Sequence, residues 1–219
     1  MADIKLKRTD ADIKEAAKLW CSDRVAAEGK YGDIRKWDTS GVTDMSELFA
    51  GKREFNEDIS GWDVSNVKNM VEMFAEAELF NQNIGGWDVS NVRNMKVMFE
   101  GAESFNQDIG GWNVSNVTDM TSMFSFARAF NQDISGWDVS NVRNMMNMFM
   151  SAASFVQDIS KWNVSNVEDV SRSVEMFDDC PLERRVLLMP LTIMNNDREQ
   201  SKCDDILGGR VWRLGRLGM

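Results

Sequence analysis

Histidine is absent from this 219-residue chain, and that removes the Ser/His/Asp and Cys/His nucleophile arrangements together with every histidine-ligated metal centre. No phosphate-binding loop or dinucleotide fingerprint is present, so the common nucleotide-dependent chemistries have no anchor. Cysteine is scarce: Cys21, Cys180 and Cys203 stand at no metal-ligand spacing. An odd, scattered set argues against a disulfide framework, and the three read as reduced thiols. Long apolar runs are missing too; Val186 to Met194 is too short to span a bilayer and is broken by Pro190. The opening MADIKLKRTDADIKEAAKLW carries charges throughout, unlike a secretory signal or a membrane anchor, so an intracellular protein without membrane insertion is expected.

What is present is a period. Tryptophan falls at Trp37, Trp62, Trp87, Trp112, Trp137 and Trp162, each 25 residues after the last, which marks tandem repeats. We number each repeat from its tryptophan as position 1. Residues 37 to 179 carry 23 acidic and 9 basic side chains, against 7 and 9 in residues 1 to 36 and 5 and 7 in residues 180 to 219. An acidic array repels phosphate, so nucleic acid and anionic membranes are excluded as expected partners and a protein with basic or polar groups is favoured.

Apolar residues recur at positions 1, 3, 6, 9, 12, 13, 16, 19 and 23; in the third repeat these are Trp87, Val89, Val92, Met95, Met98, Phe99, Ala102, Phe105 and Ile109. Alternation at positions 1 to 4 predicts a short strand, and steps of three and four from position 6 to 16 predict a helix. Serine at position 4 (Ser65, Ser90, Ser115, Ser140, Ser165) is placed to cap that helix, which would run about 18 Å over positions 5 to 16. The fold class expected is therefore an α/β repeat solenoid of about six 25-residue repeats, with short parallel strands on one side and helices on the other. Strands pack closer than helices, so the strand side should be concave.

Three segments follow from this reading. Residues 1–36 form an N-terminal helical cap, with a helix over residues 9 to 29 capped by Thr9 or Asp10, ended by Gly29, and burying Ile13, Ala16, Ala17, Trp20 and Cys21. Residues 37–179 form the solenoid. In its sixth repeat the Met-Phe pair arrives three residues late, as Met176 and Phe177, where the array ends. Residues 180–219 form a C-terminal cap segment, with Val186 to Met194 covering the open end, and a basic tail disordered beyond about residue 195.

The units FNQDISGWDVSNV and NM..MF..A..F resemble the 25-residue repeat of the family of unknown function found in mycoplasma lipoproteins and BspA-like bacterial surface proteins, abundant also in marine microalgae. The likeness spans residues 33 to 177 and keeps Trp, Val-Ser-Asn-Val, Met-Phe and Phe-Asn-Gln-Asp-Ile in order and register. It implies a relative of leucine-rich-repeat solenoids used for protein binding or adhesion, with no catalytic residues to transfer.

Four candidate features remain. The outward residues of the concave strands, Asp38, Asp63, Asp88, Asn113, Asp138 and Asn163, are the expected binding positions. Asn56, Asn81, Asn106 and Asn131 at position 20 are expected to stack as buried asparagines that satisfy backbone groups in the turn. The spacing N-x-D-x-S-G-x-D at Asn131, Asp133, Ser135, Gly136 and Asp138, repeated from Asn56 to Asp63, resembles a calcium loop. Its closing glutamate is missing, since Val142 stands there, and solvated turn carboxylates with no cofactor are the preferred reading. The Met and Phe stripes are expected to be core. Regularly placed carboxylates look like a ladder and not like the paired acids of a glycosidase. The chain is thus expected to be a non-enzymatic binding scaffold, with a subunit of a larger complex and a calcium-stabilised surface protein as alternatives.

Overall fold

The computed structural model describes residues 6–168, 176–177 and 180–181. The chain opens with strand β1 (Lys7–Thr9), helices α1 (Ile13–Ser22) and α2 (Arg24–Tyr31), a 3-10 turn at Ile34–Lys36, and strand β2 (Asp38–Gly41). Where one helix was expected there are two. Asp23 is extended (φ −148°, ψ 88°) and its carboxylate accepts the Ala26 N–H at 3.0 Å, so it ends α1 and caps α2. Ile13, Ala16, Ala17 and Trp20 are buried as the spacing requires, whereas Cys21 is exposed.

Neither Thr9 nor Asp10 caps α1, whose N-cap residue is Asp12. Asp10 instead reaches the first repeat, accepting from the N–H groups of Thr43 and Asp44 at 2.7 and 3.0 Å and from the Thr43 hydroxyl at 2.7 Å. It occupies the place of a preceding repeat. β1 does the same for β2, pairing parallel with Lys7 opposite Asp38 and Thr9 opposite Gly41. Between them lies Arg8, 2% exposed, ion-paired to Asp12 at 2.5 Å and set 4.8 Å from the Tyr31 ring and 5.5 Å from the Trp37 ring.

The repeats that follow differ from the expected pattern. Positions 10 to 15 are turns, and positions 5 to 16 hold no helix among the described residues, so the helix expected there is absent. Backbone N–H groups at positions 9, 11, 13 and 15 donate to carbonyls of the next repeat: Met70 to Asn94, Glu72 to Lys96, Phe74 to Met98 and Glu76 to Glu100, at 2.6–3.0 Å. The peptides between them close local turns, as Met73 N–H to Met70 C=O at 3.3 Å and Ala77 N–H to Phe74 C=O at 3.0 Å. A left-handed residue near every fourth place keeps this from winding into a helix: Glu47, Glu72, Val97, Ser122 and Asn147 at position 11, and Gly51, Glu76, Gly101, Phe126 and Ser151 at position 15. Apolar side chains then return every three or four residues without a helix.

The per-repeat strand is likewise reduced. Among the described residues only β2 in the first repeat is a strand, because only it meets β1; the repeats are joined by isolated parallel bridges through Asp44, Asn69, Asn94, Asp119 and Asn144. The side-by-side strands and helices that would impose a concave face are thus missing from the described residues.

The interior is a set of columns. Phe49, Phe74, Phe99, Phe124, Phe149 and Phe177 stack one repeat apart with ring centroids 5.5–5.8 Å apart. Phe55 to Phe155 form a second column at 5.8–6.0 Å. Tryptophans pair face to face, as Trp137 on Trp162 at 6.4 Å, and each indole N–H from Trp62 to Trp162 donates to the isoleucine carbonyl 28 residues earlier at 2.9–3.3 Å. Burial of each such ring is worth roughly 1.5–3 kcal/mol, and each well-set aromatic pair adds about 0.5–1.5 kcal/mol. The Met and Phe stripes are core.

The late pair in the sixth repeat keeps its place. Phe149 N–H donates to the Met176 carbonyl at 2.9 Å, and Phe177 continues the Phe column. Cys180 then stands where repeats two to five have alanine, buried at 3% exposure, its thiol 3.6 Å from the Phe155 carbonyl. The expected end cover at Val186 to Met194, Cys203 and the basic tail lie outside the described residues.

Candidate functional site

The side chains available to a partner are those that the columns leave outside. Position 2, with Asp38, Asp63, Asp88, Asn113, Asp138 and Asn163, is exposed in every repeat. Each residue turns one oxygen back on its own chain: Asp63 Oδ1 accepts the Ser65 N–H at 3.0 Å and hydroxyl at 2.6 Å, and Asp88 and Asp138 accept from Ser90 and Ser140 N–H at 3.0 and 3.1 Å. Asn113 and Asn163 make the same turn with Ser115 and Ser165. The serine expected to cap a helix is therefore the donor of an Asx turn. Hydrogen bonds from the serine hydroxyl and backbone hold the Asp88 and Asp138 carboxyls below their usual range. The other oxygen, Oδ2, of Asp63, Asp88 and Asp138 has no hydrogen-bond partner among the described residues.

Around the corner from this row, Val64 to Val67 and its equivalents close a turn, each with the second valine's N–H on the first valine's carbonyl at 2.9 Å through the fifth repeat. Both valines are buried in repeats two to five, so the residues between them form an apex. There Asn66, Asn91, Asn116, Asn141 and Asn166 donate Nδ2–H to the position-4 serine carbonyl of the preceding repeat at 2.7–3.0 Å. This amide ladder escaped the sequence reading, although asparagine recurs at position 5 in five repeats.

Beyond the apex runs position 7, with Thr43, Lys68, Arg93, Thr118, Arg143 and Glu168, all exposed. Arg143 pairs with Glu168 at 3.3 Å, both side chains 69% exposed, a contact of little energetic weight. Lys68 and Arg93 have no ion pair among the described residues. Between positions 5 and 7 lies a polar groove of about 530 Å³ lined by Arg93, Asn116, Thr118, Asn141, Arg143, Asn166 and Glu168. Arg93 and Arg143 thus stand along this groove, and Lys68 continues their row one repeat earlier.

The position-20 asparagines do the expected work, but from half-exposed to exposed places, not buried ones. Asn56, Asn81, Asn106 and Asn131 accept through Oδ1 the N–H of residues 81, 106, 131 and 156 at 2.9–3.0 Å. Gln82, Gln107, Gln132 and Gln157 clamp the same oxygens from the side at 2.9–3.0 Å. The oxygens of the calcium-like spacing are employed locally: Asn131 in this ladder, Asp133 on the Ser135 N–H, and Asp58 on the Ser60 N–H and hydroxyl. Among the described residues no group of three or more Asp, Glu or Cys side chains is placed to hold a metal ion.

A family model described as Mycoplasma protein of unknown function, DUF285, matches residues 22–124 and again residues 84–183. The chain belongs to this family. The two overlapping DUF285 matches run from the last residue of α1 to just beyond Cys180 and together span the six repeats. No curated protein and no solved structure matches the chain. No helix among the described residues is long and apolar enough to cross a membrane.

Proposed function

We propose that this DUF285 protein is a non-enzymatic scaffold: a solenoid of stacked repeats that binds a protein partner through rows of charged side chains. The observation that carries the reading is the position-2 row, where Asp63, Asp88 and Asp138 stay exposed with one carboxylate oxygen free, each fixed by an Asx turn. Side chains held this way lose little further freedom on binding, which favours recognition at a fixed pitch. Kinship with BspA-like surface proteins, carried by the ordered Phe-Asn-Gln-Asp-Ile and Val-Ser-Asn-Val blocks, belongs to the same proposal.

The test uses a D63N/D88N/D138N variant, which keeps its turns because Asn113 and Asn163 already make them. Protein captured by the immobilised native chain at low salt should be lost with the variant and at high salt. Retention of every captured protein by the variant would falsify the acidic-row reading.

A further inference from the structure

The position-2 and position-7 rows vary together. Repeats two, three and five pair an acid with a base, as Asp63 with Lys68, Asp88 with Arg93 and Asp138 with Arg143. The fourth repeat is neutral at both places, with Asn113 and Thr118. The first has Asp38 with Thr43 and the sixth Asn163 with Glu168, so no repeat carries a base without an acid. Yet among the described residues no ion pair joins the two rows: Asp88 and Asp138 bond their own serines, and Arg143 turns to Glu168. The matched charges flank one apex without using each other.

We propose that a second copy of this chain uses them, in a parallel two-fold dimer joined apex to apex, with the acidic row of each copy on the basic row of the other. A two-fold axis along the stack keeps every repeat level with its counterpart and exchanges the two flanks of the apex. Asp63 then meets the second copy's Lys68, Asp88 its Arg93 and Asp138 its Arg143, and each contact occurs twice. The neutral Asn113 and Thr118 meet each other, and no repeat sets like charges opposite. Antiparallel association would set Asp rows on Asp rows and basic rows on basic rows, and is excluded by repulsion.

Charge favours a second copy over an acidic peptide. A peptide's carboxylates on Lys68, Arg93 and Arg143 would leave the Asp63, Asp88 and Asp138 row unanswered, whereas another copy meets both rows at once. The proposal rests on the scaffold reading and names its partner.

Sedimentation equilibrium of the full chain at low salt should give twice the chain mass. Raising salt from about 0.05 to 0.5 M should weaken association at least about tenfold. D63N/D88N/D138N and K68E/R93E/R143E should each associate at least about tenfold more weakly alone, and mixing them should restore association, since one supplies bases and the other acids. Both should fold, because Asn113, Asn163 and Glu168 already occupy those positions. Carbodiimide crosslinking of mixed-isotope dimers should join Lys68 to Asp63 between copies. A native chain that stays monomeric at about 0.1 mM in low salt, a dimer indifferent to both variants, or crosslinks from Lys68 to Asp138 would overturn the proposal. If the chain is monomeric while the acidic-row variant still loses other captured proteins, self-association falls and the scaffold reading stands; if neither changes, both fall.

Discussion

The N-terminal cap and the repeats cover apolar side chains by different means. Residues 6–36 use two helices and contacts made once, centred on Arg8 between Tyr31, Trp37 and Asp12. The repeats use almost no regular secondary structure and a few contacts made again in every unit. A single contact in the cap must be strong, because nothing nearby duplicates it. A contact in the stack gains its weight from its neighbours above and below, so its loss should depend on its place in the column.

The sharpest break is in mid-stack. Phe124 lies 5.7 Å from both Phe99 and Phe149 and 4.0 Å from Phe130; F124A should cost about 3–5 kcal/mol. Urea unfolding should then separate into two phases as the halves uncouple, and a single unchanged transition would show that the columns are not the coupling. In the cap, R8A breaks the ion pair to Asp12, which keeps its contacts from Thr9, and removes both ring contacts. A loss of about 2 kcal/mol is expected, read by thermal denaturation, with the fluorescence of Trp20 and Trp37 changing first.

Smaller effects test the ladders. N106A strips the acceptor used by Asn131 N–H and Gln132, and a loss of about 1–2 kcal/mol is expected. V97N should instead stabilise by about 0.5–1 kcal/mol, because a β-branched residue sits left-handed at φ 62° where Asn147 holds the equivalent place. Chemical denaturation of either variant reads the sign directly.

The smallest effect concerns acid. Burial, then Glu72 and Glu76, push the half-buried Glu100 carboxyl up. A carboxyl raised in the folded state destabilises once pH passes above its unfolded value and less so below it. E100Q should therefore raise Tm at pH 7, by an amount equivalent to about 0.2–1 kcal/mol, and the gain should shrink as pH falls towards 4.5. Asp88 and Asp138 have the opposite sign: held low by Ser90 and Ser140, they contribute above the ordinary aspartate value of about 3.9 and lose it as pH falls through their lower folded values. Thermal melts from pH 7 to 3 distinguish the two.

Much of this was legible in the repeat itself. The core residues followed from apolar positions shared by every copy, and the Asn ladder from one amide recurring at one place. The slip at Met176 was readable as a late Met-Phe pair, although only the Phe149 contacts show that the pair keeps its column. The helix was misread because Met95, Met98, Phe99 and Ala102 return at steps that turns with a left-handed residue every fourth place also produce. Gly51 and Gly101 signal that geometry, while Glu72, Val97 and Phe126 in equivalent places conceal it. The asparagine ladder at position 5 was legible as a recurrence, but its acceptor lies in another repeat and no local pattern names it.

The 25-residue period by itself determined which residues are inside, since a side chain repeated at one position must meet its own kind in the next unit or face water in all of them. Only the tertiary structure decided how the backbone satisfies its polar groups. That choice, donation to the next repeat in place of a helix's own fourth neighbour, depends on a surface that exists only once the repeats have stacked.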